Sequence, residues 1–399
     1  MFENLTDVRQ QGKVTYDMKV ICVTRLFGLL CGLTTMNSLT NKFNNELTIE
    51  TLSKITNTKL NDLPHYDTIN DVFDDLNIEE LRKIQKYIVY TLIRSKMFDK
   101  FRYNGKFQLL IDGTGLVSFN QKHCDHCLVK KHSDGHFSYE HHVLEAKLVF
   151  DSFVLSIDSE FIENPNPDVI NIKKQDCEMK AFKRMAIRLK KNFPKLSFII
   201  TGDALYASGP FIKLCLDNNW DFMFRLKSDK LRTVNQDFDG LIAINSGSIH
   251  KNYFVVNDYQ YNQYKFNIIR FIEHIESKKE KTFTFITSLP VTDNNIKCLI
   301  EMGRRRWKIE NHGFNNQKNI LFNISHMCSL NYNAMKVHYF FTQFAHTIRQ
   351  LLDFGSTLVK AFQGKIKEIS FAILNELISS HVSVSLNHNF QLRFDMLII

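Results

Sequence analysis

The stretch Arg304-Arg305-Arg306-Trp307-Lys308-Ile309-Glu310-Asn311-His312-Gly313-Phe314-Asn315-Asn316-Gln317-Lys318 decides how the chain is read. Pro290 and Asp293 precede it, and Ile296, Leu299, Ile300 and Met302 recur at helical spacing, so it reads as the later part of an amphipathic helix. Arg306 and Glu310 stand four apart and share a face. A single carboxylate among so many cations, beside the bulky Trp307, suits an acid aimed at a metal next to a phosphate backbone. The plainer alternative is a solvated basic helix with one ion pair.

Two earlier segments supply possible companions for Glu310. Phe107 to Ile111 is a buried-strand run that meets Asp112-Gly113-Thr114-Gly115, and Ser197 to Thr201 is another that meets Gly202-Asp203-Ala204. Each sets one Asp at the carboxyl end of an apolar strand, the edge of an α/β sheet where ligands bind. Two strand-end aspartates and a helix glutamate make an all-oxygen donor set, which selects Mg²⁺ or Mn²⁺. For a lone Asp before Gly the competing reading is a turn residue.

Arg306-Trp307-x-Ile309-Glu310, followed by Phe314 and Lys318, resembles the insertion-sequence DDE transposases of the insertion-sequence-four type, which carry a tyrosine-arginine-glutamate-lysine signature. The resemblance extends over Asp-Gly-Thr-Gly at 112–115, His-Cys-x-x-Cys at 123–127, Asp-Cys-Glu at 176–178 and Gly-Asp-Ala-Leu-Tyr-Ala at 202–207. Two positions depart from it: Gly303 stands where the tyrosine belongs, and Gln317 where the lysine belongs, with Lys318 one residue late.

The resemblance implies an α/β fold with a ribonuclease H-like core. It implies Asp112, Asp203 and Glu310 as catalytic metal ligands, with Asp112 bridging two ions. It also implies cleavage of transposon ends, joining of the freed 3′-hydroxyl to target DNA, and a homodimer in the complex with double-stranded DNA. Arg306 and Lys318 are the candidate phosphate contacts. Trp307 is a stacking residue or a buried anchor, and Tyr206 is a DNA contact or a core residue. A ribonuclease H-like nuclease without strand transfer, and a non-catalytic DNA-binding derivative, are the competing functions.

The chain has 399 residues, 44% hydrophobic and 23% charged, which suits a globular protein with a large core. Its net charge of +9 points to a polyanionic partner. Only six prolines argue against long linkers, and eight scattered cysteines fit a reducing cytosol rather than a disulfide scaffold. Met1-Phe2-Glu3-Asn4 lacks a secretory start, and Arg25 with several Thr interrupts the apolar run from Lys19 to Met36, so that run reads as a buried helix. The expected location is cytoplasmic, on the bacterial nucleoid when bound to DNA.

In chain order, residues 1–104 read as a helical region for DNA ends or for bracing the core, with Asn77 capping a helix that opens on Glu79 and Glu80. Residues 105–220 carry the first part of the core, with separate strands at 107–112 and 115–119, and a helix from Lys173 to Lys191. The outer face of that helix bears Lys180, Lys183, Arg184, Arg188, Lys190 and Lys191, a solvated face or a phosphate-facing one. Residues 221–289 read as a β-rich insertion, 290–325 as the return to the core with Glu310, and 326–399 as a helical region led by Ala334 to Leu352. His123-Cys124-x-x-Cys127, with later histidines, is a second cluster. Cys124 and Cys127 with His132 or His141 can hold zinc; the alternative is a polar hairpin whose His and Lys face DNA.

Overall fold

The computed structural model describes residues 1–164, 175–244, 252–275, 279–305, 309–354 and 366–379. They form two compact units, and each unit is built from segments far apart in sequence.

One unit comprises Asp99–Thr114 and His142–Asn311. The strands of the chain are β1 (Phe107–Phe119), β2 (Leu128–Lys131), β3 (Phe137–Phe150), β4 (Phe153–Ile162), β5 (Phe198–Gly202), β6 (Asp221–Leu226), β7 (Tyr253–Tyr261), β8 (Tyr264–Ile275) and β9 (Lys279–Thr287). β4 pairs antiparallel with β3, β3 neighbours β1, β5 runs parallel to β1, and β6 runs parallel to β5. This β4-β3-β1-β5-β6 order, with a crossover helix before β5, is the ribonuclease H-like arrangement that the sequence leads one to expect. β5 is buried at every residue, which is why it reads as an unbroken apolar run rather than an alternating one.

The crossover helix α6 (Glu178–Asn192) starts after Cys177 and buries Ala181, Phe182, Met185, Ala186 and Leu189. The beginning of the helix expected from Lys173 lies outside the described residues or in the extended approach to Cys177. β1 is one strand from Phe107 to Phe119, not two: the run of Asp112-Gly113-Thr114-Gly115 does not break it.

Beyond β6 the insertion is less purely β than expected. A helix, Arg232–Ile244, precedes β7, and only Val234 and Phe238 of it are buried, a stripe too narrow to stand out in the sequence. β9 then returns to pair antiparallel with β6, and β8 and β7 extend the same sheet outward. β6 (Asp221–Leu226) thus stands between β5 and β9, parallel to one and antiparallel to the other. The helix Ile296–Arg304 packs through Ile296, Leu299, Ile300 and Met302 on Ile199, Met223, Ile269 and Phe285.

The other unit comprises Met1–Phe98, Gly115–His141 and His312–Ile399. Its helices α1 (Met18–Leu30), α2 (Met36–Phe43), α3 (Glu46–Thr56), α4 (Tyr66–Asp75) and α5 (Ile78–Arg94) come from the start of the chain. Asn77 caps α5 as expected, its Oδ1 accepting from Glu79 N–H at 2.9 Å. The apolar early run from Lys19 is the buried helix α1 as far as Leu30; its remainder is a turn that leads to α2 at Met36. The long helix Tyr332–Phe354 is buried along most of its length and packs against these N-terminal helices. A further helix covers Ile366–Ser379; the rest of the tail lies outside the described residues. The compact units thus do not follow chain order, since the two helical ends of the chain share one core. Among the described residues no helix is long and apolar enough to cross a membrane.

Candidate active site

The pairing of β1 with β5 is in register from Phe107↔Phe198 to Leu110↔Thr201. Two residues further along each strand stand Asp112 and Asp203. Asp112 lies within β1 and Asp203 directly follows β5, and both carboxylates act on the buried Tyr206 phenol. The structure therefore sets both sequence-predicted aspartates at the same end of the β1–β5 pair, around Tyr206. Both are partly exposed. Asp112 Oδ1 accepts from Gly113 N–H at 3.1 Å, and Asp203 Oδ1 accepts from Leu205 N–H at 2.7 Å in a local turn that fixes its carboxylate.

The opposite face of the same two strand ends is opened by glycine. Gly113 and Gly202 alternate with the aspartates, so both look away from them. A Cβ on Gly113 would meet Glu178 Oε1 at 2.3 Å, and one on Gly202 would meet the Tyr206 ring at 2.6 Å. Glu178, the first residue of α6, thus lies directly against the Asp112 strand, and Tyr206 OH donates to its Oε2 at 3.2 Å. Burial pushes the Glu178 carboxyl above the usual carboxylate range, and nearby Asp203 adds to the rise against the Tyr206 hydrogen bond. The Tyr206 phenol is pushed well up by burial and then by Glu178, Asp112 and Asp203, so the four groups share one electrostatic environment.

Glu178 had no assigned role in the sequence reading. Asp-Cys-Glu was legible only as a motif, and an acidic residue in a first helical turn is ordinary. Tyr206 is fully buried and hydrogen-bonded inside the unit. This corrects its candidacy as a DNA contact: the ring is core, packed edge-on against Phe182 and Phe211.

The helix that leads to Glu310 reaches the aspartate face. We label the remaining helices α7 (Gly209–Asp217), α8 (Arg232–Ile244), α9 (Ile296–Arg304), α10 (Ile309–Ile320), α11 (Tyr332–Phe354) and α12 (Ile366–Ser379). Gln108, on the Asp112 side of β1, donates through Nε2 to Met302 O in α9 at 2.8 Å and to Thr201 Oγ1 at 3.2 Å. Arg306 and Trp307 lie outside the described residues, as does the side chain of Glu310, whose backbone belongs to α10. Of the helix expected across this stretch the described parts are α9 and α10; residues 306–308 between them lie outside the described residues. α10 is π-wound, and Leu321 N–H at its end donates to Asn316 O, five residues back, at 2.8 Å. Such winding is rare and concentrates at functional sites.

Both departures from the family signature have structural seats. Gly303 is buried under Phe285, whose ring carbons would stand 2.7 Å from an added Cβ. Gln317 is fully buried and its Nε2 lies 2.9 Å from Gln343 Oε1 and 2.9 Å from His346 Nδ1. Lys318 is half-buried, and burial lowers its ammonium pKa.

Four of the six cations on α6 are engaged within the protein: Lys180 donates to Gln175 O at 2.9 Å, Lys190 donates to Asn218 O at 3.0 Å, and Arg184 and Arg188 form ion pairs. Arg184 pairs with Asp176 at 2.6 Å and with Glu160, and Arg188 pairs with Glu160 at 2.6 Å and Asp158 at 3.0 Å. The Cys/His cluster also assembles, in the helical unit, but with a different membership. His123, Cys124, Cys127 and His141 offer ligand atoms within 4.8 Å of one another. His132 is not among them; it stacks on His136 and its Nε2 lies 2.8 Å from Ser138 Oγ.

Residues 172–348 match the transposase DDE domain, and residues 1–87 match the DDE_Tnp_1-associated domain. No curated protein matches the chain. Among solved structures, one that is similar is the piggyBac transposase synaptic complex with hairpin DNA, at 12% identity and a TM-score of 0.45, covering 93% of this chain and 74% of that one.

Proposed function

From a chain that carries a transposase DDE domain, and so is a metal-dependent DNA-cleaving transposase, we propose a specific reaction. It cuts DNA at the ends of its own element and joins the freed 3′-hydroxyl to target DNA, as an insertion-sequence-four type enzyme working as a homodimer. The observation that supports this reading best is the parallel pairing of β1 with β5, two adjacent strands each carrying one aspartate at or just past the paired end. The proposed third carboxylate is Glu310, which follows α9 in the chain.

Asp112, Asp203 and Glu310 would hold Mg²⁺ or Mn²⁺, which when bound activates the attacking oxygen and stabilises the leaving one. The donor set fits: all three offer hard carboxylate oxygens, and Asp112 and Asp203 are partly exposed at the carboxyl ends of adjacent strands. The turn from Asp203 to Leu205 orients one carboxylate. Tyr206 and Glu178 brace the strand ends from behind: the phenol donates to Glu178, and the Glu178 carboxyl fills the space above Gly113. Glu178 is a positioning residue in this scheme. Arg306 and Lys318 are the proposed phosphate contacts, with Trp307 as the anchor of that segment. The N-terminal domain, residues 1–87, is proposed to engage the DNA ends.

The test uses purified full-length protein and DNA carrying the inverted repeats that flank its gene. Divalent-ion-dependent cleavage and strand transfer are expected. Asp112→Asn, Asp203→Asn and Glu310→Gln should each abolish cleavage while DNA binding persists. Glu178→Gln should slow cleavage by about 10–100-fold, as supporting-shell changes do. Cleavage without joining would make the protein a nuclease. Full cleavage by all three carboxylate variants would remove the enzymatic reading from these residues.

A further inference from the structure

We propose that His123, Cys124, Cys127 and His141 bind one structural zinc ion that clips the loop after β1 to the start of β3. The argument rests on distances. Cys124 Sγ and Cys127 Sγ are 3.7 Å apart, Cys124 Sγ and His141 Nε2 are 3.4 Å apart, and Cys127 Sγ and His141 Nε2 are 3.5 Å apart. A tetrahedral site with Zn–S of about 2.3 Å and Zn–N of about 2.0 Å has S···S edges of about 3.8 Å and S···N edges of about 3.5 Å. Three edges of the cluster match those lengths. A His123 nitrogen supplies the fourth vertex within the same 4.8 Å limit. The Sγ–Sγ separation is far beyond a disulfide bond of about 2.05 Å, and both cysteines are free thiols.

The surroundings are those of a closed structural site. Cys127 and His141 are buried. Phe119 stacks on the His123 ring with centroids 4.3 Å apart, and Tyr332 stacks on His141 at 4.3 Å. His123 Nδ1 is buried with no hydrogen-bond partner among the described residues, an orphan polar atom that calls for a ligand. Four protein ligands leave no open position for a substrate, so the ion holds structure and does no chemistry. Two thiolates with two imidazoles suit zinc, with iron as the competing soft-site metal.

The chain positions explain what the ion secures. Three ligands sit in the turn just before β2, and the fourth lies on β3, whose first residues pair with β2 from Leu128↔Glu140 to Lys131↔Phe137. A clip at the open end of this hairpin fixes where its two strands leave the rest of the unit. The exposed ion pair of Lys122 with Asp125 at 2.8 Å lies in the same turn and is too solvated to do so alone.

Full-length protein, purified without chelator or histidine tag, tests the proposal through metal analysis. One zinc per chain is expected. Cys124→Ser and Cys127→Ser should lose it, and His132→Ala should keep it. Wild-type protein reloaded with Co²⁺ should show thiolate charge-transfer absorption and the visible bands of a tetrahedral ion. If the serine variants do not fold, a mercurial reagent added to the wild-type protein should release zinc to a colorimetric chelator as the thiols react. Metal-free protein with two freely reactive thiols, unmoved in stability by added zinc, would overturn the proposal. So would iron in place of zinc, or full zinc retention after loss of both cysteines. None of these readouts depends on DNA cleavage.

Discussion

Glycine at 303 stands where the resemblance leads one to expect tyrosine, and the packing leaves no room for a side chain there. The helix α9 carries it against Phe285, a ring 2% exposed, and an added Cβ would sit 2.7 Å from that ring. Gly303→Ala gains about 1 kcal/mol of helix propensity, but pushing aside a buried ring costs about 1–3 kcal/mol. The packing term wins, so Gly303→Ala is expected to be net destabilised, and Gly303→Tyr more so. Pairing either change with Phe285→Leu should recover part of the loss. Urea unfolding of the four members of the cycle measures this; additive effects would show that the two positions do not press on each other. The same kind of reading applies to Gly113. As a sequence, Asp112-Gly113 looks like a turn, because glycine after Asp usually is one. In the fold the strand continues, and the missing Cβ is the seat of the Glu178 carboxylate. Which partner a glycine makes room for is a long-range fact, and local sequence does not carry it.

At the scale of elements, the apolar strands and most helices were legible because their cores are nearly continuous or helically periodic. β5 and α1 are buried nearly throughout, and α6 shows its stripe of Ala181, Met185 and Leu189. What escaped were features set by partners elsewhere: the marginal burial of α8, the return of β9 to β6, and the choice of His123 over His132. The basic face of α6 shows the limit best. Six cations on one helix read as a solvated or a phosphate-facing surface, yet Arg184 and Arg188 reach back to carboxylates on β4 and beside Cys177. Asp158 and Glu160 are 6% and 9% exposed as side chains, so they need those guanidinium groups. Arg188→Ala should therefore cost about 2–3 kcal/mol of stability, toward the low end for a broken buried pair because the arginine is partly solvated. DNA affinity, measured by fluorescence anisotropy at fixed salt, should not change. A variant of ordinary stability with weakened DNA binding would reverse the assignment and return Arg188 to the phosphate-facing set.

Over the whole molecule, the chain passes between its two units several times, so neither unit is a contiguous piece. The helical unit is closed by contacts between residues some three hundred positions apart. Arg25 on α1, 1% exposed, donates through Nε to His338 Nδ1 on α11 at 3.1 Å, and His338 Nε2 lies 2.8 Å from Asn70 Oδ1 on α4. Both ring nitrogens are thereby assigned: Nδ1 accepts and Nε2 donates, which is the neutral imidazole. Burial first, and Arg25 second, hold the His338 pKa well below the usual histidine value. The sign of the stability effect follows from which state binds the proton. Below about pH 6.5 the unfolded chain protonates this histidine while the folded protein does not, so stability falls as pH falls. From this one group the loss approaches about 1.4 kcal/mol per pH unit once the pH is well below 6.5 and still above the folded pKa. Glutamine can accept from Arg25 and donate to Asn70, so His338→Gln should keep the fold while removing that slope. Urea unfolding followed by far-ultraviolet circular dichroism from pH 7.5 to pH 5 compares the two proteins. The other histidines titrate equally in both, so the difference between the curves isolates His338. Parallel curves across that range would mean that the buried imidazole takes up its proton in place, and that Arg25 does not keep it neutral.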